Sequence, residues 1–144
     1  MIQRIQSIWL LLAALCNAGL FVFDLYRVDE AAVAAGARNL NVVSHYPSLL
    51  IGLVITILPL VAIFLFKDRK KQRLMALLSM VFTMGFLSMT LMRVSNANNA
   101  TSAPTGGSYW IGSILPVLAI IFLIMAIRAI RNDEKLVKSM DRLR

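Results

Sequence analysis

The amino-acid sequence predicts an all-α membrane protein with four transmembrane helices, and three independent patterns coincide in predicting it. Apolar runs of bilayer-crossing length recur four times, the cations gather at the ends of those runs, and short motifs repeat between the two halves. Of 144 residues, 59% are hydrophobic and only 15% charged, and the mean hydropathy is +0.76. A soluble domain of this size exposes too much of itself to water to carry so little charge.

The elements follow in chain order. Residues 5–23 and 74–92 are each free of charge over 19 residues, and 49–66 and 109–127 are two further apolar stretches. At about 1.5 Å of rise per residue each can cross roughly 30 Å of hydrocarbon as a helix. Helices are expected at about 5–25, 47–66, 73–93 and 109–128, in one membrane domain spanning 1–144, with a basic tail at 128–144. The first run exceeds the usual apolar core of a signal peptide, and Leu15 before Cys16 does not suit a lipoprotein cleavage site, so a retained helix is expected.

The first connection, 24–45, holds Asp24, Arg27, Asp29, Glu30, Arg38 and His45. Its segment 30–36 suits one or two helical turns, and 38–45 alternates as extended chain does. Pro47 falls near the start of the second helix, where a missing N–H is tolerated. Pro59 lies in that helix's interior, where in a bilayer it kinks rather than ends the helix because neighbouring helices satisfy the freed carbonyl. The connection 93–108 has the composition of a flexible loop, Tyr109 and Trp110 form an interfacial aromatic pair, and Pro116 repeats the internal proline. The tail carries six cations and three acids, with Leu136, Met140 and Leu143 at helical spacing. It reads as a cytoplasmic extension of the fourth helix or an amphipathic segment on an anionic surface, and equally as a solvated helical end.

Orientation follows from the cations. Five of the seven residues 67–73 are Lys or Arg, and together with Arg4 and the tail they put twelve cations on one side. Arg27, Arg38 and Arg93 are the three on the other. That bias places both termini in the cytoplasm. It also removes the case for nucleic acid, since the net charge of +8 is spent on orienting helices.

The halves resemble each other. Residues 57–63, Ile-Leu-Pro-Leu-Val-Ala-Ile, match 114–120, Ile-Leu-Pro-Val-Leu-Ala-Ile, at an offset of 57, and Gln3-Arg4-Ile5 matches Gln72-Arg73-Leu74 at an offset of 69. Two duplicated helical hairpins are expected, related by a pseudo-two-fold axis along the membrane normal.

Candidate chemistry is sparse. No ionisable residue lies well inside a span, so the usual mark of a transport or proton pathway is missing. Asp24 and Arg93 occupy equivalent outer helix ends and are candidates for an outer-interface ion pair. Arg4 and Arg73, each preceded by glutamine at an inner helix end, are candidates for contacts to anionic lipid headgroups. His45, the single histidine, fits an interfacial position better than a metal or haem site. Ala14, Asn17 and Ala18, and Ser79 with Thr83, are small or polar residues at helix-packing spacing. Five of the eight methionines (Met75, Met80, Met84, Met89 and Met92) fall on the third helix and suit adaptable packing or a partner. No catalytic residue, cofactor site or metal site is expected, and the protein is not expected to be an enzyme.

The opening Met1-Ile-Gln-Arg-Ile-Gln6, the basic central loop and the charged C-terminal tail together resemble a bacterial domain-of-unknown-function family of small four-helix integral membrane proteins. The resemblance covers essentially the whole chain and brings no activity, catalytic residue or cofactor. It implies the bacterial inner membrane, where the acceptor-like triplet at Asn99 has no role. The functional expectation is a non-enzymatic accessory or scaffold subunit of a larger membrane assembly, with the bilayer, anionic headgroups and a protein partner or a second copy as its contacts. The alternative is a small oligomeric transporter, channel or lipid-handling protein.

Overall fold

The computed structural model describes residues 2–28, 33, 39–66, 68–100 and 107–141. Four helices account for most of them: α1 (Ile2–Gly19), α2 (Tyr46–Phe64), α3 (Arg69–Ala100) and α4 (Ile111–Asp141). They run alternately up and down and form a ring. Each packs on its neighbours in sequence, and α4 closes the ring on α1 through the most extensive contact of all. One end of the ring carries the basic first turn of α3 together with the end of α4. The opposite end carries a two-stranded antiparallel ribbon, β1 (Tyr26–Val28) and β2 (Gly107–Tyr109), with Tyr26 opposite Tyr109.

Two clusters fill the ring. Near the basic end, Leu10 and Ala13 meet Ala62, Ala76, Leu123 and Ala126; near the ribbon end, Leu20, Leu25 and Val42 meet Ile55 and Phe86. The outward faces are apolar almost throughout, including Leu15, Phe64, Val81 and Ile121. A water-soluble bundle buries such residues; one surrounded by hydrocarbon does not need to. Three helices, α2, α3 and α4, are long and apolar enough to cross a membrane, and the apolar part of α1, Ile5–Gly19, is shorter.

That shortness corrects the first expected span. Apolar residues continue to Phe23, but the helix ends at Gly19, where an added Cβ would stand 2.9 Å from Leu115 Cδ1 of α4. Beyond it the chain turns off the axis through i→i+3 bonds from Leu20 to Asn17 and Phe21 to Ala18, both 3.2 Å. Gly112 N then donates to Asp24 O and Trp110 N to Leu25 O, each at 3.1 Å, so residues 24–25 satisfy donors at the start of α4.

Other boundaries move too. α3 runs to Ala100 instead of ending near 93, since no glycine or proline interrupts it there; residues 101–106 lie outside the described chain. α4 continues unbroken to Asp141, so the tail through that residue extends the helix. The expected turns at 30–36 fall outside the described residues apart from Val33. In the segment expected to be extended, Leu40 forms a single bridge to Tyr26, and turns follow at 42–45. α2 starts where His45 accepts a bond from Ser48 N at 3.4 Å with Pro47 in the first turn.

The halves share a burial pattern. Ile55, Pro59 and Ala62 of α2 face inward, as do Gly112, Pro116 and Ala119 of α4 at the offset of 57. On α1 and just past its end the buried positions Gln6, Leu10, Ala13, Asn17 and Leu20 recur 66 residues on in α3 as Gln72, Ala76, Ser79, Thr83 and Phe86. That spacing pairs Gln72 with Gln6 and not with Gln3.

Candidate functional site

Three polar groupings stand out against the apolar ring. The first is inside it. Pro59 has no N–H to give to Ile55 O, and Asn17 Nδ2 of α1 donates to that carbonyl at 2.8 Å. Both residues are buried, so α1 supplies from its own side chain what the proline-containing α2 lacks. Ser79 and Thr83 lie fully buried on α3, with Thr83 Oγ donating to Ser79 O at 2.7 Å. Gln6 and Gln72 are fully buried toward the basic end, and neither amide has a protein hydrogen-bond partner.

The second grouping lies at the ribbon end. His45 Nδ1 and Ser48 Oγ are 3.0 Å apart, and Arg93 Nη1 donates to Ser48 Oγ at 2.9 Å and to Asn41 O at 3.4 Å. A serine beside a histidine invites comparison with a hydrolytic pair. Here the imidazole accepts the Ser48 backbone N–H in the first turn of α2, which is the arrangement of a helix cap at His45. Arg93 therefore ties α3 to the start of α2. It does not form the expected pair with Asp24, whose carboxylate lies 3.3 Å from Arg27 Nε three residues along the chain. Arg27 in turn lies over the Trp110 ring, 4.0 Å from its centroid, so the local charge and the aromatic face capture it first.

The third grouping is a cleft between α3 and α4 at the basic end. Lys70, Arg73, Leu74 and Leu77 follow one face of α3 at helical spacing, and Arg131, Glu134 and Lys135 follow the facing stripe of α4. They line two adjoining hollows of about 290 and 380 Å³ that share Arg73 and Glu134. Arg73 Nη1 lies 3.5 Å from Glu134 Oε2. Beside it, Arg69 Nε is 3.2 Å from Asp133 Oδ2 while its Nη1 donates to Asp133 O at 3.1 Å. These two contacts fix how the start of α3 meets the end of α4. Of the two arginines singled out in the sequence, Arg73 lines this cleft; the side chain of Arg4 lies outside the described ones.

A family model described as a domain of unknown function, DUF4293, matches residues 2–143. The chain belongs to the DUF4293 family. No curated protein and no solved structure matches it.

Within this DUF4293 chain, the sequence singled out Asn17, Ser79, Thr83 and Arg73, but not the burial of Gln6 and Gln72 or the place of Arg131 and Lys135 in the cleft. The tail cations read as a solvated run because their partner face on α3 is some sixty residues away. Helical spacing at 131, 134 and 135 against 70, 73 and 77 was the signal that could have joined them. Chemically, the cleft offers four cations and one carboxylate above an apolar wall.

Proposed function

We propose that this DUF4293 protein is a non-enzymatic accessory or scaffold subunit of a larger bacterial inner-membrane assembly, with both termini in the cytoplasm. One observation carries the reading. The outward stripe of α3, Val81, Gly85, Ser88 and Met92, is exposed, and nothing lies within 4 Å of where a Gly85 Cβ would stand. A small residue in an exposed transmembrane stripe lets a second helix approach closely, and Met92 beside it adapts its shape to a partner.

The ring is two copies of one hairpin. The matched burial of Pro59 with Pro116 and of Ala62 with Ala119 supports this, as does that of Gln6 with Gln72. The copies meet at the basic segment before α3, on the side that the positive-inside rule assigns to the cytoplasm.

The test is mild solubilisation of the tagged protein from its native membrane, followed by sizing of the complex and identification of the chains that co-purify. A partner in fixed stoichiometry is expected, and Gly85→Leu should release it without lowering the melting temperature of the isolated protein. A monomer or a self-oligomer alone would sink the proposal. The alternative, a small oligomeric transporter, channel or lipid-handling protein, draws its support from the basic cleft and is favoured if only lipid co-purifies.

A further inference from the structure

We infer that the cleft between α3 and α4 binds the phosphate of an anionic phospholipid, with the lipid's acyl chains running past Leu74 and Leu77. This site stands whether or not the protein is an accessory subunit.

Charge comes first. Lys70, Arg73, Arg131 and Lys135 face one acid, Glu134, so the lining carries a surplus of three positive charges. The Arg73–Glu134 contact, at 3.5 Å, accounts for a single pair. Asp133, the nearest further acid in sequence, is engaged by Arg69 at 3.2 Å. A phosphate brings the countercharge and several acceptor oxygens, and arginine's planar fork suits it.

The wall then selects the source of that phosphate. Along α3 the lining passes from Lys70 and Arg73 to Leu74 and Leu77, and Leu74 at 54%, Leu78 at 38% and Val81 at 61% remain exposed beyond. Polarity thus falls steadily from the basic end into the apolar span, as it does along one phospholipid molecule from head to tail. A soluble phosphate would use the cations and leave the apolar wall unexplained. With hollows of about 290 and 380 Å³, the cleft sits at the small end of ligand-sized cavities and admits a headgroup while its open side leaves the tails in the bilayer.

The experiment is native mass spectrometry of the full-length protein released from nanodiscs holding equal phosphatidylglycerol and phosphatidylcholine. Wild type should retain phosphatidylglycerol in excess, and the double variant Arg131→Gln with Lys135→Gln should cut that excess about tenfold. Arg131→Lys with Lys135→Arg should restore it, showing that the fold survives substitution at both positions. Glu134→Gln, which removes the competing carboxylate, should raise it. Arg128→Gln, an exposed cation of α4 outside the lining, should leave it within about twofold. Equal retention by wild type and the double variant would overturn the site, and so would a loss in Arg128→Gln matching that in Arg131→Gln. Displacement of the retained lipid by free glycerol phosphate would overturn the lipid assignment in favour of a soluble anion.

Discussion

A proline inside a helix strips the carbonyl four residues earlier of its N–H partner, and in hydrocarbon no water takes its place. Ile55 O is that carbonyl, and Asn17 Nδ2 reaches it at 2.8 Å from the neighbouring helix. Such bonds within membranes contribute about 0.6 kcal/mol on average and about 1.7 at most. Asn17→Ala should destabilise the protein by that order in a detergent-unfolding measurement. In a Pro59→Ala background, where residue 59 regains an N–H for Ile55 O, the same change should cost distinctly less. Equal costs in the two backgrounds would show that Asn17 acts only through packing. The sequence announces the proline and a polar residue at packing spacing. It does not pair them, because the bond spans 38 residues and depends on the azimuths of two helices.

At the scale of the element, boundaries were less legible than identities. The apolar runs give the helices, yet α1 stops at Gly19 although Leu20, Phe21, Val22 and Phe23 could all continue it. Local propensity does not foretell that stop, which comes from outside: the chain leaves the axis to deliver Asp24 O to Gly112 N. Gly112 is the weak point of that joint, since a Cβ there would run into the Asp24 carbonyl and the backbone of Phe23. Gly112→Ala should therefore cost about 1–3 kcal/mol as an overpacked contact. Gly85→Ala, with nothing near its Cβ, should gain about 0.5–1 kcal/mol from helix propensity alone. Opposite signs in thermal melts of the two variants check both expectations. The ribbon was missed for a related reason: two strands of three residues are too short to show an alternation.

For the whole molecule, the cations were the most informative letters of the sequence, and the structure brings Lys70 and Arg73 of α3 together with Arg131 and Lys135 of α4 at one end. The start of α3 and the end of α4 meet there through Arg69–Asp133 and Arg73–Glu134. The orientation proposed from them is testable with reporter fusions. Replacing the five cations of 67–73 by glutamine should lower the cytoplasmic retention of that loop or scramble the C-terminal reporter. Unchanged reporters would move the determinant to the tail. What no count of charges conveys is that some of these cations line a cleft, because that requires α3 and α4 to be laid side by side.

The ribbon at the other end imposes an order of events. Tyr26 pairs with Tyr109, and Trp110 reaches back to Leu25 O at 3.1 Å and to the Arg27 guanidinium. None of these partners exists until three helices have been made and the fourth has begun. During synthesis the first connection must therefore wait, its edge unpaired, while α2 and α3 are inserted. The ribbon end is thus fixed only after the first three helices, and its clasp holds the start of α4 against the chain that leaves α1.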